Sequence, residues 1–341
     1  MTNTTRQVIF AKRPRGWVSD DCFEIRDVAI PELADGDVLV RNIYMSVDPY
    51  MRGRMNDAKS YAAGFELGKV MQCGAIGEVV KSRNDKIPEG TVVTGMLNWE
   101  TYTLVKGGDG LMPVDPKAAP LPYYISVLGM PGFTAWYGLL KIGEPKAGET
   151  VYVSAASGAV GQVVGQIAKI RGATVIGSAG SDDKCAYVTE KCGYDACFNY
   201  KTVDSYAKAL HEHCPKGIDV YFENVGGKML DAVLTVLNQH SRIALCGLIS
   251  QYNLTEPEGI KYVQSLLINK VRLQGFIISD HYDLFPEFVN DVAGWLKSGQ
   301  MTYRLSVAEG IDNAPGAFIG MLKGENFGKQ VVKLGDDPYA A

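Results

Sequence analysis

Through the first hundred or so residues, short apolar runs alternate with polar positions at a period of two and are broken by turn residues. They read "QVIFAK", "DVLVRNIYMSV", "CGAIGEVV", "TVVTG" and "ETYTLV". Half-buried strands at this spacing predict a β-rich, partly barrel-like unit. The paired prolines of "APLPYY" mark a boundary ahead of a helical stretch. From Thr150 the rhythm changes. Strand-like runs "TVYVSA", "ATVIGS", "YDACFNY", "IDVYFEN", "SRIALCG" and "VRLQGFII" alternate with helical runs "VGQVVGQIAKIRG", "DDKCAYVTEKCG", "GKMLDAVLTVLNQ" and "LFPEFVNDVAGWLKSG". Continuous apolar strands between amphipathic helices predict an α/β fold, a doubly wound parallel sheet covered on both faces. Beyond about residue 300, "MTYRLSV" and "GKQVVKL" return to strand-like patterns. The expected domains are residues 1–124, 125–300 and 301–341, the last rejoining the first.

Composition narrows the function classes. A chain of 341 residues suffices for two domains. Its net charge of −4, with no basic stripe, argues against a nucleic-acid partner. "RQVIFAKRPRG" is positively charged but has no signal-length apolar core behind it. No stretch reaches the roughly 20 apolar residues of a membrane span, so a cytoplasmic protein without a membrane partner is expected. The seven cysteines are scattered and contain no C-x-x-C, which argues against both a disulfide framework and a zinc lobe. "HEHC" (His211 to Cys214) gathers possible metal ligands, but it closes a polar helix before Pro215 and reads as a solvated end.

The first strand–helix junction of the alternating array is "VYVSAASGAVGQVVGQIAK", residues 151–169. Its spacing is Ala156-x-Gly158-x-x-Gly161, with Gly165 one helical turn later. Gly158 would let the backbone approach a pyrophosphate, and Gly161 would let the helix pack tightly on the strand. The helix N-terminus then presents free N–H groups and its positive dipole end to the anion. Ala156 stands where a dinucleotide fingerprint carries its first glycine, so the turn should differ slightly. A glycine turn that merely packs would read the same. The position after the first of six strands favours dinucleotide binding.

The second strand, "ATVIGSAGSDDK", separates NAD from NADP. An NAD site usually holds the ribose hydroxyls with a carboxylate at this strand's end. Here the end reads Gly177, Ser178, Ala179, Gly180, and Lys184 follows at the start of the next helix, where an ammonium would meet a 2′-phosphate. Asp182 and Asp183 suit the helix dipole. Tyr200, in "FNYK", ends the third strand on the adenosine side. NADP(H) is the expected cofactor.

These segments resemble the medium-chain dehydrogenase/reductase superfamily, and more narrowly its zinc-independent double-bond reductases: the prostaglandin, alkenal and curcumin reductases. The resemblance runs along most of the chain, through "SVDPYMRGRM", "GMPGFTAWYGL", "SAASGAVGQVVGQIAK", "FNYK", "YFENVGG", "CGLISQYN", "RLQGFI" and "GENFGKQVV". It implies a Rossmann domain, a GroES-like substrate domain and a homodimer. It also places Ala159, Val160 and Gly161 on the pyrophosphate, with Ser157 and Gly158 in the same turn. Gly180, Lys184 and Tyr200 fall on the adenosine 2′-phosphate side. Asn224, Cys246, Gly247, Phe276 and Ile277 line the nicotinamide half, and Asn326 reaches the cofactor from the returning tail. Tyr50 and Tyr252 face the substrate as the candidate catalytic residues. The segment with Ile268, "SLLINKVRLQGF", looks most like the bacterial curcumin-reductase type.

Zinc dehydrogenases of this superfamily carry an early cysteine, a later His-Glu pair and a third ligand. Here the early position reads "YMSVDPY", the later one "GFELGKVMQCG", and no histidine precedes His211. Metal-assisted alcohol oxidation is therefore not expected. An α,β-unsaturated carbonyl is already an electrophile, so hydride can enter its β-carbon without a metal while charge develops on the carbonyl oxygen. That oxygen needs a donor placed in advance. Tyr50 is the candidate donor, the cofactor's ribose hydroxyl is its rival, and Tyr252 orients the substrate. The expected activity is NADPH-dependent reduction of the C=C bond of small enals and enones. A quinone reductase is the alternative enzyme, and a non-catalytic NADPH-binding protein the alternative from another class.

Overall fold

The structure is a computed structural model that describes residues 3–340. Strands β1 (Thr4–Phe10) and β2 (Phe23–Ala29) form an antiparallel ribbon. Strand β2 has no clear apolar alternation: it carries charge at several positions, and only Phe23 and Ile25 pack onto the core. The longer β3 (Val38–Ser46) and β4 (Gln72–Ser82) pair antiparallel and centre a mixed sheet with β5 (Val92–Asn98), β6 (Tyr102–Val105) and β7 (Met112–Pro113). A short helix, α1 (Tyr50–Arg54), leaves the end of β3.

Next along the chain come α2 (Met130–Tyr137) and then the alternating array. Strands β8 (Thr150–Val153), β9 (Thr174–Ala179), β10 (Ala196–Asn199), β11 (Ile218–Glu223), β12 (Leu237–Leu245) and β13 (Arg272–Gly275) form one sheet. Every pairing is parallel and the order is β10-β9-β8-β11-β12-β13, the doubly wound arrangement that reverses direction between β8 and β11. The interleaved helices are α3 (Gly161–Ile170), α4 (Asp182–Lys191), α5 (Tyr206–His213), α6 (Gly227–Val233), α7 (Gln264–Ile268) and α8 (Phe285–Lys297). Finally β14 (Leu305–Glu309), α9 (Ala314–Leu322) and β15 (Lys329–Lys333) complete the mixed sheet, with β15 antiparallel to β3. The fold is α/β: a doubly wound Rossmann sheet plus a β-rich GroES-like unit.

One expected helix is shorter than its apolar spacing implied. The run 227–239 leaves the helix after Val233, and Leu237, Asn238 and Gln239 belong to β12. Val236, Leu237 and Ile218 decide this: Ile218 donates its N–H to the Val236 carbonyl and pairs with Leu237, so the strand begins before the helical pattern ends. Spacing alone could not tell these states apart. "HEHC" is also only partly solvated, because Cys214 lies in the core beneath α5. His213 stacks on Phe198.

The chain divides into two compact units, one running to Gly129 and resuming at Leu305, the other Met130–Arg304. Two buried glutamines on α3 keep residues 302–304 with the second unit. Gln166 exchanges hydrogen bonds with both backbone groups of Thr302, at 2.9 and 2.7 Å, and Gln162 does the same with Arg304, at 3.1 and 2.8 Å. Among the described residues no helix is long and apolar enough to cross a membrane.

Gly165 shows how tightly α3 lies on the sheet. A Cβ there would stand 1.9 Å from the Tyr194 ring, whose hydroxyl donates to the Gly161 carbonyl at 2.7 Å. Gly165→Ala is therefore expected to destabilise the protein by ~1–3 kcal/mol through overpacking. The urea midpoint measures this, and an unchanged midpoint would show that the ring can move aside.

Candidate cofactor-binding and active-site residues

The turn after β8 solves its missing glycine through its neighbours. Ala155, not Ala156, takes the left-handed backbone, with φ +51°. Ala156 is fully buried and donates its N–H to the Ser178 carbonyl at 2.9 Å. Its methyl group fits because the facing residue on β9 is Gly177, where a Cβ would stand 2.6 Å from the Ala156 Cβ. Gly161 is the position at which glycine is compulsory: a Cβ there would meet the Ala155 carbonyl oxygen at 2.4 Å and the Ala156 Cα at 2.8 Å. Gly158 is less constrained, with one backbone contact at 3.2 Å. Ser157, Gly158, Ala159 and Val160 thus form a compact loop ending on the N-terminus of α3, a cradle of the shape a pyrophosphate needs.

At the end of β9 three polar groups converge. A Cβ on Gly180 would stand 2.9 Å from the Tyr200 hydroxyl and 3.4 Å from the Lys201 Cε. Burial, and then the neighbouring Lys201 charge, hold the Lys184 ammonium below its usual pKa. Two like charges so close are stabilised by an anion between them. Lys201 was not singled out from the sequence, although it stands in the quoted "FNYK". Of the acids beside them, Asp182 is directed elsewhere, accepting from the Asn199 amide at 2.9 Å, and Ser181 caps α4 by accepting from the Lys184 N–H. The residues present fit a phosphorylated adenosine.

The ends of β8, β11 and β12 meet at Glu223, which the sequence reading passed over. Its Oε1 accepts from the Val225 N–H at 2.6 Å, the Gly226 N–H at 2.9 Å and Ser154 Oγ at 3.2 Å. Its main-chain carbonyl accepts from Cys246 and Gly247, each at 3.0 Å. Oε2 is buried without a hydrogen-bond partner among the described residues. The signal was present: a fully buried carboxylate closes the run "VYFE" at the end of β11. Asn224 next to it donates its side-chain amide to the Ser154 carbonyl at 2.8 Å. Burial, with Glu223 close by, pushes the Cys246 thiol up to about 12. Tyr252 folds over its own loop, its hydroxyl accepting from the Leu248 N–H at 3.1 Å. Phe276, preceding Ile277, packs against Tyr137 with ring centres 5.5 Å apart.

In the first unit, Tyr50 opens α1 and packs half-buried against the core. Burial first, and the Asp48 charge second, raise its phenol well above 10. Asp48 is held by a buried ion pair: Lys329 Nζ donates to Asp48 Oδ1 at 2.8 Å and to the Val47 carbonyl at 2.7 Å, with side chains 1% and 6% exposed. Ser46 donates to the other carboxylate oxygen. Arg54 lies over Phe65 at 4.1 Å and donates to the Ala63 carbonyl, while Arg52 donates to the Gly16 carbonyl. The quoted "SVDPYMRGRM" is thus a set of anchors around Tyr50. Asn326 donates its amide to the Gly328 carbonyl at 2.7 Å. Among the described residues no group of three or more His, Cys, Asp or Glu is arranged to hold a metal ion.

A doubly wound sheet with a glycine-bearing turn at its point of reversal, in a chain that also forms a β-rich unit completed by the C-terminal strands, defines a Rossmann-fold oxidoreductase. Residues 6–114 match the family described as the N-terminal domain of oxidoreductase, and residues 159–294 that described as zinc-binding dehydrogenase. The chain is 44% identical over 336 residues to the 2-alkenal reductase (NADP(+)-dependent) of Nicotiana tabacum, covering 97% of this chain and 98% of that protein. It is 43% identical over 339 residues to the NADPH-dependent curcumin reductase of Escherichia coli, covering 97% and 98%. The crystal structure of CurA in complex with NADPH from Vibrio vulnificus superposes with a TM-score of 0.92 at 45% identity, over 97% of this chain and all of that one (100%). The chain belongs to the medium-chain dehydrogenase/reductase superfamily, in its double-bond reductase group.

Burial raises the Glu223 carboxyl above its ordinary 4.5. The folded chain then retains a proton that the unfolded chain has released, so this group's contribution to stability falls as pH rises from about 4.5 towards the raised value. Glu223→Gln keeps the accepting oxygen and is expected to remove that slope from urea-unfolding free energies; parallel slopes would refute the assignment. Glu223→Ala, which orphans two backbone donors, should cost ~1–3 kcal/mol.

Proposed function

We propose that this chain is an NADPH-dependent reductase of the C=C bond of small α,β-unsaturated aldehydes and ketones. The observation that carries the reading is Tyr50, a phenol kept firmly protonated by burial and by the anchored Asp48. A neutral donor of this kind suits a carbonyl oxygen that becomes negative as the β-carbon is reduced. The chain-long similarity to proteins named for alkenal and curcumin reduction supports the same substrate class. The domains we assign are a GroES-like catalytic domain, formed by the N-terminal segment and the returning tail, and a Rossmann domain between them that keeps residues 302–304.

Bound NADPH supplies the hydride. The chain's own residues do the rest. Lys184, Lys201 and Tyr200 bind the 2′-phosphate, and the loop from Ser157 to Gly161 takes the pyrophosphate, with Gly180 leaving room for the adenosine. Asn224, Cys246, Gly247, Phe276, Ile277 and Asn326 shape the nicotinamide site. Tyr50 donates to the substrate carbonyl and Tyr252 orients the substrate; the α-carbon takes its proton from solvent. We assign a homodimer in the cytoplasm. Val263, Leu267 and Ile268 support it, exposed at 56%, 82% and 62% beside the edge strand β13. The free state of all seven cysteines fits a reducing compartment.

Three experiments test this reading. In a panel of alkenals, dienones and quinones followed by NADPH absorbance, alkenals and dienones should turn over. Turnover of quinones alone would replace the double-bond reading with quinone reduction. Tyr50→Phe should lower kcat with enones by roughly 10²-fold, the usual effect of removing one oxyanion donor. Full retained turnover would transfer that role to the cofactor ribose. Lys184→Ala should weaken NADPH by about 10-fold or more, as loss of a charge-assisted contact does, and leave NADH unchanged. An equal effect on both cofactors would remove Lys184 from the 2′-phosphate.

A further inference from the structure

Two cysteines that the proposed reaction does not use lie against each other at the adenosine end of the Rossmann sheet. Cys185 is in the first turns of α4 and Cys197 is on β10, and their sulfurs are 2.9 Å apart. Both are free thiols. Among the described residues no other pair of cysteine sulfurs is within hydrogen-bonding reach. We propose that Cys185 and Cys197 are a redox-active dithiol that a hydroperoxide converts to a disulfide, loosening the hold of this site on NADPH.

The arrangement separates the roles of the two sulfurs. Cys197 donates its S–H to Cys185, and Cys185 stands near the N-terminal end of α4, where a thiolate is favoured. The hydrogen bond from Cys197 outweighs burial and lowers the Cys185 thiol, while Cys197 is raised by the same contact. Asp182 opposes the Cys185 thiolate. Cys185 is 8% exposed and Cys197 is half-buried, which restricts the pair to a small oxidant.

The chemistry balances in two steps. The Cys185 thiolate attacks the hydroperoxide, forming an S–O bond and breaking the O–O bond, and the displaced alkoxide or hydroxide takes a proton to leave as alcohol or water. The Cys197 sulfur then attacks the sulfenic sulfur; the S–S bond forms, and hydroxide leaves with the Cys197 proton as water. Two thiols are oxidised and one hydroperoxide is reduced. A disulfide requires about 2.05 Å between sulfurs, so the two side chains and the segments of α4 and β10 that carry them must adjust. Lys184 precedes Cys185, and Tyr200 and Lys201 follow Cys197 by three and four residues. The effect on NADPH rests on the reading that these three hold the 2′-phosphate.

The test treats the full-length protein with hydrogen peroxide, with and without saturating NADPH, and follows free thiols and cross-linked peptides by mass spectrometry. Loss of two thiols as one Cys185–Cys197 link is expected, reversed by dithiothreitol, slowed by NADPH and abolished by Cys185→Ser and by Cys197→Ser but not by Cys192→Ser. The oxidised protein should bind NADPH at least threefold more weakly, with NADH binding unmoved. Absence of the link, or sulfinic acid accumulating on Cys185 instead, overturns the dithiol. A link that leaves NADPH affinity unchanged overturns the coupling. Lys184→Ala reports on the 2′-phosphate reading separately, because it contains both cysteines and should form the link whether or not that reading holds.

Discussion

The buried carboxylate of Glu223 is the constraint on which the second unit's functional end depends. Parallel strands leave their carboxyl ends as separate loops, and here one side chain and one carbonyl gather three of them. Oxygen Oε1 collects Ser154, Val225 and Gly226, and the main-chain carbonyl collects Cys246 and Gly247. An acceptor of this kind in an apolar interior is costly when unpaired and strong when satisfied. Asn224 has its position because both its flanks are held.

The first unit uses the same device with opposite charges. Lys329, on the last strand, is buried against Asp48 and Val47. A buried ion pair contributes little net stability compared with apolar packing, but removing one partner strands the other. Its effect is positional: it ties the C-terminal strand β15 to the turn that carries Tyr50 and sets a negative charge that keeps the phenol protonated. Ion pair and carboxylate clamp both spend buried polar groups on holding loops still.

The phosphate turn shows how a motif can be legible and its mechanism hidden. Alanine in place of the first glycine predicts a slightly different turn at this strand–helix junction. Its compensation is spread over two other positions: Ala155 adopts the left-handed backbone, and Gly177 clears the space for the Ala156 methyl. Gly177 lies 21 residues away along the chain. No pattern within the loop points to it.

The sequence by itself determined the doubly wound array, the choice of a 2′-phosphate over a ribose hydroxyl and the family. Period, the missing carboxylate after β9 and the order of motifs are local properties, readable wherever the chain runs. Tertiary structure alone decided where α6 yields to β12, because the Ile218 partner that pulls Leu237 into the sheet is remote in sequence. It alone assembled Lys201 with Lys184, Glu223 with three strand ends, and Lys329 with Asp48. Each of these depends on a pair of distant residues meeting where water is excluded, and only packing says which pairs meet.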